Sequence, residues 1–585
     1  WATRFGAGRV VTNTMGHVWP SAGGSDGRNS LHCVGFQSVF ARSCEWASGN
    51  TVTLDVPPAF PTKDKQSIVH PEFVHWTAGN QPLALAPQTT ADAAERAALK
   101  KKRNPYALLT AEESIASMQI ADGYTMELVV GEPHIREPVL AAWDANGRLY
   151  VAQMRSYMQD EYGTGTKTLK NGRISRHEDT DGDGKLDRHT VFVDGLNLPR
   201  MMLPLDDRLA VVQTDSTDVV SYRDTTGDGV ADEQRILYKG NRKIDPSRSV
   251  EHQDSGLFWA IDNWIYLSRG RERYRFTDGQ WIVDPIEFDW NQWGLDQDDT
   301  GRLFFNDNSR PLKSFQQHPI YWSQIAKRAK GRWKRPAIGD DYAAEFLTMH
   351  SICEYGDRGE SHAYRSFTSA TGGCVFRGDG LGDDANGDYF ICDPTGHIVR
   401  RAKLSREAGK IIVASAYEQE NREFIASADI NFRPVFATTG PDGALYIVDM
   451  YRGMIQDAPW VNDQAKAFMR RSGLNFNIHN GRIYRVTKRG TKRTRPPRLL
   501  DLPTRDLPSY LASKNGWVRD TAQKQIVLRT DRDTILDALM EMAASHANPL
   551  ARLHALWTLE GCDAITNQLL LAAMKDTDWR VREAG

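Results

Sequence analysis

The sequence lacks several features that would place it in a common class at once. No apolar run approaches the roughly 18 residues that a membrane-spanning helix requires. The six cysteines form no CxxC pair and no zinc-ligand spacing. The formal net charge is only −2, with 73 Lys and Arg against 75 Asp and Glu, so no overall field favours nucleic acid or an anionic membrane. We therefore expect no transmembrane span in this chain and no nucleic-acid partner.

The remaining absences leave the compartment open. No signal peptide is visible, and Trp1 opens directly into a strand pattern without an initiating Met, so we expect that the native chain starts earlier. Cys374 and Cys392 fall in adjacent strands of one repeat and are able to pair, but the sequence does not decide whether they do. The cysteines therefore do not indicate a redox compartment.

What the sequence does contain is length and aromatic residues. A chain of 585 residues is too long for one hydrophobic core and predicts three to four domains. Sixteen Trp and an aromatic fraction of 10% suit a packed β protein that binds a planar or sugar-sized ligand, although most aromatic residues serve the core.

One strand–turn–strand pattern recurs between residues 143 and 450. Each copy has Asp, Asn or Gly in a tight turn, followed by four or five alternating β-formers. The copies are WDANGRLYVAQ (143–153), LDDRLAVVQ (205–213), AIDNWIYLS (260–268), DDTGRLFFND (298–307), ANGDYFICD (385–393) and GPDGALYIVDM (440–450). Six copies predict a six-bladed β-propeller in a mainly β protein. The alternative is a β-sandwich with similar hairpins.

The rest of the chain divides around this repeat. Residues 81–112 are rich in Ala and charge and predict a linker, and TAEESIASM after it begins with a capping box of Thr110 and Glu113. The propeller is predicted over 113–488, followed by a basic, Pro-containing linker over 489–505. In 506–585, three Val-Arg or Ala-Arg pairs recur about every 30 residues on predicted helices, which indicates a HEAT-like α-helical solenoid that stops in mid-helix.

Two acidic turns have a spacing typical of calcium loops. DTDGDGKLD and DTTGDGVAD place carboxylates at alternate positions of a Gly-containing loop, where Ca²⁺ prefers oxygen ligands. The candidate ligands are Asp179, Asp181, Asp183 and Asp187 in the first turn, and Asp224, Asp228 and Asp232 in the second. The alternative is an Asx-rich hairpin turn without metal. A bound ion would be structural.

The N-terminal residues carry a family resemblance. A strand pair in WATRFGAGRVVTNTMGH and a helix in SLHCVGFQSVFARSCEWASG give a GxGRV…GH…EWA pattern. This resembles the C-terminal part of trehalose-utilisation (ThuA)-like, glutamine-amidotransferase-like α/β domains, which we expect over 1–80. The resemblance implies that His17 is a remnant and that the segment packs against the propeller.

A second resemblance concerns the segment around His252. EHQDSGLFWAIDNWIYLS is similar to the HQxGxLxxxxDxxxY segment of the soluble glucose/sorbosone dehydrogenases, and three later segments follow in the same order. These are six-bladed propellers that use pyrroloquinoline quinone (PQQ). The resemblance implies that His252 is a catalytic base, that Arg433 stabilises charge on the quinone, and that Asn291, Asn308 and Arg433 bind the cofactor.

The sequence also departs from that pattern. Three positions that carry cations in these dehydrogenases are Trp290, Thr395 and Asn431 here. PQQ has three carboxylates, and each lost cation removes a charge-assisted hydrogen bond of roughly 1.5–3 kcal/mol. Arg310, Arg377 or Arg452 would have to replace them.

A third resemblance spans 110–585. ADGYTMELVVGEP, DTDGDGKLD and FRPVF…GPDGALYIVDMY, followed by helical repeats, resemble a bacterial membrane-bound dehydrogenase family in which a cytochrome c domain follows the repeats. This implies a periplasmic or extracytoplasmic location, either free or associated with the membrane, and a cytochrome c as electron acceptor. The chain has no CxxCH, so a haem c would lie on a missing C-terminal domain.

Two functions are therefore expected. The first is a quinoprotein-type dehydrogenase that oxidises a sugar or other alcohol and passes electrons to a cytochrome c. The second is a non-catalytic propeller that binds a glycan or a protein partner, with stacking on Trp259, Trp290 or Trp293. A purely architectural propeller and solenoid is a third alternative.

Overall fold

The computed structural model describes most of the chain from residue 106 onward and part of the N-terminal segment. The described residues are 2–5, 8–11, 34–47, 52–53, 55–56, 106–240, 242, 244–245, 249–270, 272–286, 292–315, 337–338, 344–353, 365–407 and 410–585. The chain divides into two compact units, Trp1–Asn104 and Pro105–Gly585. His17, Trp290 and Asn291 lie outside the described residues.

The first unit contains the strand pair and the helix that the sequence predicts. Strands β1 (Ala2–Phe5) and β2 (Gly8–Val11) are antiparallel, and helix α1 spans Val34–Ala47. Thr53 donates two hydrogen bonds to the carboxylate of Glu45 near the end of α1, at 2.9 Å from its backbone N and 2.6 Å from Oγ1. The assignment to a ThuA-like domain stays a prediction.

The second unit is mainly β. It opens with helix α2 (Ala111–Ala116), which the predicted capping box of Thr110 and Glu113 begins. The following strands are β3 (Met118–Ile120), β4 (Tyr124–Gly131), β5 (Pro138–Trp143), β6 (Leu149–Gln153), β7 (Gly172–Glu178), β8 (Arg188–Leu196), β9 (Pro199–Pro204), β10 (Arg208–Gln213), β11 (Val219–Arg223), β12 (Glu233–Tyr238), β13 (Ser255–Trp259), β14 (Ile265–Ser268), β15 (Glu272–Thr277), β16 (Gln280–Pro285), β17 (Trp293–Gln297), β18 (Leu303–Asn306), β19 (Lys313–Phe315), β20 (Ala337–Ile338), β21 (Thr371–Val375), β22 (Tyr389–Asp393), β23 (Ile398–Glu407), β24 (Lys410–Ser415), β25 (Ile425–Ser427), β26 (Pro434–Thr439), β27 (Leu445–Asp449) and β28 (Arg482–Lys488).

The six predicted hairpins are present as antiparallel pairs. They are β5–β6, β9–β10, β13–β14, β17–β18, β21–β22 and β26–β27. The turn chemistry explains why they form. Asp144 accepts hydrogen bonds from the backbone N–H groups of Asn146 and Arg148, and Gly147 takes the positive φ of +76° that the turn needs. Asp298 and Gly301 repeat this arrangement between β17 and β18.

The first strands of these hairpins form a closed ring. Strand β5 contacts β9, and the contacts continue through β13, β17, β21 and β26, which contacts β5 again. Successive strands of each sheet lie further from the ring, so the arrangement is propeller-like. The sheets of β9 and β13 are joined as one eight-stranded sheet by a parallel pair at Met201 and Gly256. Strands β3 and β4, from the start of the unit, pair with β25 and β28 and thereby complete the last two sheets.

Helices dominate the C-terminal part. Helix α3 (Asp463–Ser472) lies between β27 and β28, and helices α4 (Gly516–Leu528), α5 (Leu536–Ser545), α6 (Pro549–Gly561), α7 (Asn567–Ala573) and α8 (Trp579–Ala584) follow the last strand. The predicted basic linker is packed rather than free, since Leu499 is fully buried and donates its backbone N–H to Ala145 at 2.7 Å.

The three recurring arginines of this part make the same contact. Arg519 Nη1 donates to the carbonyls of residues 513 and 514, at 2.8 and 3.0 Å. Arg552 Nη1 reaches the carbonyls of residues 546 and 547, and Arg582 Nη1 those of 576 and 577. An Asn or Asp caps the N-terminus of the helix that carries each of these arginines. The sequence repeat is therefore also a structural repeat.

Helix α4 packs across the end of the ring where the turns of the six hairpins lie. Asn515 donates to the carbonyl oxygens of Gly440 and Pro441, at 3.0 and 3.1 Å, and Gln523 donates to that of Ile261 at 2.7 Å. We call this end of the ring the turn end and the opposite end the loop end. The turn end is covered by α4, and the loops that join the sheets lie at the loop end.

Candidate functional site

A cavity of about 390 Å³ lies inside the ring of first strands. Its wall consists mostly of aliphatic and aromatic side chains from all six first strands. Polar side chains that line it are Tyr157, Arg200, Glu251, Ser255, Asp296, Asn308, Thr368, Ser369, Thr371, Thr438, Gln456, Asp520, Thr521 and Lys524. A volume of this size and an apolar wall with few polar groups are typical of small-molecule sites.

Two polar atoms beside the cavity have no hydrogen-bond partner among the described residues. They are the indole N–H of Trp259, at the turn end, and the side-chain oxygen Oδ1 of Asn308, at the loop end. Trp259 is only 8% exposed. A buried polar atom without a partner costs roughly 1–3 kcal/mol, so a side-chain rotation that turns either atom toward the cavity would allow a ligand or water to stabilise it.

The loop end carries a carboxyl group that the sequence reasoning missed. Glu251 lines the cavity, accepts a hydrogen bond from the hydroxyl of Tyr157, and follows Ser249 and Val250, which both donate to Asp457. Burial raises the pKa of Glu251 to about 7, although the Tyr157 hydrogen bond opposes the shift. Glu251 is therefore able to hold or release a proton near neutral pH. Its position directly before His252 is the only sequence signal that pointed to it.

His252 lies next to Glu251 in the same short 3-10 helix, Val250–His252. Its ring is nearly parallel to that of Trp293, with 6.2 Å between ring centres, and edge-on to that of Trp460 at 6.0 Å. Trp460 is 56% exposed and Trp293 lines the cavity. His252 therefore stands in an aromatic cluster at the loop end, beside the cavity wall. Its role as a catalytic base stays a prediction.

Arg433 is at the same end but is engaged by the backbone. Its guanidinium donates to the carbonyl oxygens of Pro394, Arg452 and Gly453, at 2.8, 3.1 and 2.8 Å. The group thus ties together loops that follow β22 and β27. This contact set is structural, and a role toward a cofactor would need these bonds to be exchanged.

Thr395 and Asn431, which stand at two positions where the sequence resemblance predicts cations, are bonded within the protein. Thr395 bonds to Ser369 and Asp393. The side-chain amide of Asn431 donates to the carbonyl of Ala107 at 3.3 Å and to Asp429 at 3.2 Å. Neither side chain lines the cavity.

The described residues do not fit PQQ as a tricarboxylate. Among them, the cationic side chains that line the cavity are Arg200 and Lys524, which lie at opposite ends, and Arg200 already donates to the carbonyl of Val250 at 2.7 Å. Arg452 is fully buried in an ion pair with Glu137 at 2.6 Å. The same wall carries the carboxyl groups of Glu251 and Asp296, and burial raises the pKa of Asp296 to about 7. Three further negative charges would be poorly balanced.

The first acidic turn brings three predicted ligands together. One carboxylate oxygen from each of Asp179, Asp181 and Asp183 lies within 4.8 Å of the others. Asp187 is instead bonded to Thr180 N and Oγ1, at 3.1 and 2.7 Å. The guanidinium of Arg493 lies directly against Gly184 of this turn. It is so close that a Cβ atom placed on Gly184 would lie 1.2 Å from Arg493 Nη1.

The second acidic turn has the same hydrogen bonds but no such group of ligands among the described residues. Asp224 accepts from Gly227 and Gly229 and forms an ion pair with Arg176 at 2.8 Å. Asp232 bonds to Thr225, and Asp228 to the backbone N–H of Val230. These hydrogen bonds stabilise the turn from within the protein, and calcium at Asp224, Asp228 and Asp232 stays a prediction.

At the turn end of the cavity, the sequence reasoning named Trp259 but missed the contribution of helix α4. Helix α4 contributes Trp517, Asp520, Thr521 and Lys524 to the lining. Asp520 forms a bidentate ion pair with Arg377, at 2.6 and 2.9 Å. The floor of the cavity is therefore made by a helix that lies more than two hundred residues beyond most of the wall.

The cysteines and helices add two plain findings. Cys374 and Cys392 are free, buried thiols, and burial raises the pKa of both well above the ordinary value. Among the described helices, none is both long and apolar enough to cross a membrane.

Comparison with known proteins gives a family of unknown function. The family model DUF7133, a domain of unknown function, matches residues 110–490, so the chain belongs to this family. A comparison with curated proteins finds no sequence that matches.

Several solved structures are similar in fold at low identity. The PQQ-bound aldose sugar dehydrogenase from Streptomyces coelicolor is 13% identical, with a TM-score of 0.33, over 63% of this chain and 100% of that chain. The soluble aldose sugar dehydrogenase from Escherichia coli is 11% identical, with a TM-score of 0.32, over 63% and 100%. A luciferin-regenerating enzyme is 12% identical, with a TM-score of 0.34, over 64% and 98%. These neighbours have different activities and do not indicate one for this chain.

Proposed function

We propose that this protein binds a small, hydroxyl-bearing molecule of sugar size inside its propeller-like domain, through the loop end. The observation that carries the proposal is the cavity of about 390 Å³, whose lining side chains include two with buried polar atoms, Trp259 Nε1 and Asn308 Oδ1, that lack a hydrogen-bond partner among the described residues. A donor and an acceptor in an apolar, aromatic wall suit a hydroxyl compound, because each hydroxyl group both donates and accepts.

The aromatic cluster at the loop end supports the same ligand class. Trp293 lines the cavity and Trp460 is largely exposed beside it, with His252 in contact with both rings. Aromatic faces pack against the apolar face of a sugar ring, while Glu251 supplies a carboxyl group able to bond a hydroxyl. The proposal extends to a protein or glycan partner that inserts one hydroxyl-bearing group of sugar size into the cavity.

A screen of monosaccharides and polyols by tryptophan fluorescence and calorimetry tests it. We expect saturable binding that Trp293→Ala weakens at least tenfold. The matched control is Trp281→Ala, because Trp281 lies outside the cavity lining. Saturable binding that is unaffected by Trp293→Ala would place the ligand elsewhere, and an absence of binding across the screen would overturn the proposal.

Oxidation of the bound alcohol is a second candidate, favoured by one observation. His252, Asn308 and Arg433, which the dehydrogenase resemblance implicates, all lie at the loop end of the ring. Glu251 and His252 together offer groups that could take a hydroxyl proton. PQQ as cofactor, a cytochrome c acceptor, a haem c on a further domain and a periplasmic location belong to this candidate only.

Titration with PQQ by calorimetry and quinone absorbance tests this second candidate. The informative variant is His252→Ala, because Arg433→Ala removes three bonds to backbone carbonyls and should destabilise the protein whether or not PQQ binds. Saturable binding that His252→Ala weakens would support a quinoprotein. No binding at about 50 µM, an affinity range in which specific cofactor sites are filled, would remove it.

Three architectural proposals accompany these functions. We propose six blades, supported by the closed ring of six first strands, and HEAT-like repeats, supported by the common contacts of Arg519, Arg552 and Arg582. A ThuA-like origin of residues 1–80 remains a proposal from sequence.

Calcium in the first acidic turn is also a proposal, supported by the group of Asp179, Asp181 and Asp183. Arg493 is a competing source of positive charge at this turn. Terbium luminescence, with Asp181→Ala as the variant, distinguishes the two. Sensitised emission that this variant abolishes supports a metal ion, and emission that it leaves unchanged opposes one.

A further inference from the structure

The floor of the cavity carries an ammonium group without a carboxylate partner of its own. Lys524 projects from α4 into the lining, and its Nζ donates one hydrogen bond, to the carbonyl oxygen of Pro204 at 2.7 Å. Among the described residues, no carboxylate oxygen lies within 4.0 Å of Lys524 Nζ, the distance that defines an ion pair. An ammonium has three N–H donors, so two remain for another acceptor.

The charges around Lys524 are already paired with one another. The carboxylates that act on it from a distance are Asp520 on α4, Asp144 in the β5–β6 turn and Asp206 in the β9–β10 turn. Their closest partners are arginines, at 2.6, 2.5 and 2.8 Å: Arg377, Arg148 and Arg208 respectively. The ammonium of Lys524 therefore has no ion-pair partner of its own among the described residues. Asp296 also lines this end, and burial raises its pKa to about 7.

A second donor stands at the same level. Trp259 ends β13 and Pro204 ends β9, and these strands are parallel neighbours in register at Gly256 and Met201. Both strands therefore end at the turn end, and Trp259 and Pro204, the residue to which Lys524 is bonded, both line the cavity there. The indole N–H of Trp259 is buried and lacks an acceptor among the described residues.

We propose that the floor of the cavity binds the carboxylate of a small organic acid, a sugar acid in the first instance, through Lys524 Nζ and Trp259 Nε1. Two donors and one positive charge without an ion-pair partner among the described residues match two carboxylate oxygens and one negative charge. The apolar surroundings strengthen this pairing, since little water competes there. The inference rests on the proposed sugar-sized ligand and narrows it to one with a carboxylate at its inner end.

The protonation of Lys524 is compatible with this role. Burial lowers the pKa of Lys524 to about 8, so the amine is still mostly charged at neutral pH. A bound carboxylate would raise this pKa again. Because the ligand carboxylate stays ionised over the same range, affinity for the acid should fall as the pH rises above about 8. Glu251 and Asp296 line the same cavity, and burial raises the pKa of each to about 7, so most of their ionisation is complete below that pH and the fall above it reports Lys524.

Calorimetry with D-glucuronate and D-glucose tests the proposal, because the two differ only in a carboxylate against a hydroxymethyl group. We expect glucuronate to bind at least tenfold more tightly, by the size of a charge-assisted hydrogen bond. Lys524→Met should erase this preference. Lys514→Met is the matched control, since Lys514 is exposed and precedes the same helix.

The outcomes separate the inference from the function on which it rests. Glucose bound as tightly as glucuronate would overturn the carboxylate site and leave the sugar-sized site intact. Failure of both sugars, and of acetate and benzoate as simpler carboxylates, would overturn both. If Lys524→Met does not fold, the wild-type pH profile decides. A loss of glucuronate affinity above about pH 8, with glucose unaffected, supports the site, and a flat profile refutes it.

Discussion

Removal of the Asp299 carboxylate should loosen helix α4 from the ring. Asp299 lies in the turn between β17 and β18 and accepts hydrogen bonds from both Arg377 Nε, at 2.7 Å, and Arg519 Nη2. The side chains of Arg377 and Arg519 are 5% and 1% exposed. Burial alone would raise the pKa of Asp299, but the two arginines hold it well below its ordinary value, so it is ionised at neutral pH.

The expected loss follows from what the substitution leaves behind. In Asp299→Ala, Arg377 keeps its bidentate partner Asp520, whereas Arg519 keeps only neutral partners, the carbonyls of residues 513 and 514 and the ring of His554. Breaking a buried ion pair by removing one partner costs about 3–5 kcal/mol. Because Arg519 remains hydrogen-bonded, we expect the lower end, about 3 kcal/mol.

Hydrogen exchange of the α4 amides measures this loss directly. A global free energy of unfolding is poorly defined for a chain with several parts, whereas exchange reports the opening of one element. A loss of about 3 kcal/mol corresponds to exchange roughly 100-fold faster, at tenfold per 1.36 kcal/mol. The measurement belongs at neutral pH, since the contribution of an acid with a depressed pKa is complete there and is lost only as the pH falls through its folded value.

Asp278→Ala is the control for the same interface. Asp278 pairs with Arg532 at 2.9 Å between the β15–β16 turn and the helices, but it is 66% exposed. An exposed pair contributes about 0–1 kcal/mol, so α4 exchange should rise less than about fivefold. Equal effects of the two substitutions would refute the reasoning that burial of the Asp299 cluster holds the helices to the ring.

Three further outcomes follow from single contacts. Burial raises the pKa of Glu251 in the folded state to about 7 and favours its protonated form, so the wild type should lose stability as the pH rises from about 5 to about 7. Glu251→Gln should remove this loss, and urea midpoints at the two pH values measure it. Arg552→Lys should cost about 1–2 kcal/mol, seen as faster exchange in α6, because a lysine cannot reproduce the two bonds to Asp576 at 2.6 and 2.7 Å. Gly373→Ala should lower the urea midpoint well below that of Gly131→Ala, since its Cβ would lie 2.1 Å from a buried tyrosine hydroxyl, whereas the nearest atom to the other is at 3.4 Å.

The hairpins could be predicted from sequence because the information that makes them is local. An Asp that caps its own turn and a Gly or Asn at positive φ are recognisable within six residues, as in Asp144 to Gly147. The arginine repeat of the helices is equally local, since Arg519 bonds to carbonyls five and six residues before it. Such features survive in a single sequence.

The candidate site could be predicted only in part, because its contacts join distant residues. The resemblance singled out His252, but at this end of the cavity a carboxyl group with a raised pKa is supplied by its neighbour Glu251. Arg433 has the residue type expected of a cofactor ligand, yet three backbone carbonyls occupy its guanidinium. Residue type at a motif position does not show which partner the folded chain brings to it.

Lys524 shows the same limit most clearly and also what closes the site. In sequence it is an ordinary polar residue of an amphipathic helix, whereas in the structure it bonds to Pro204, 320 residues earlier, across the end of the ring. A ring of strands alone would leave a channel open at both ends. Because α4 covers the turn end, we expect a ligand to enter from the loop end and to meet the helix at the inner end of the cavity. The part of the chain that resembles a separate structural repeat is therefore expected to set which small molecule the propeller-like part accepts.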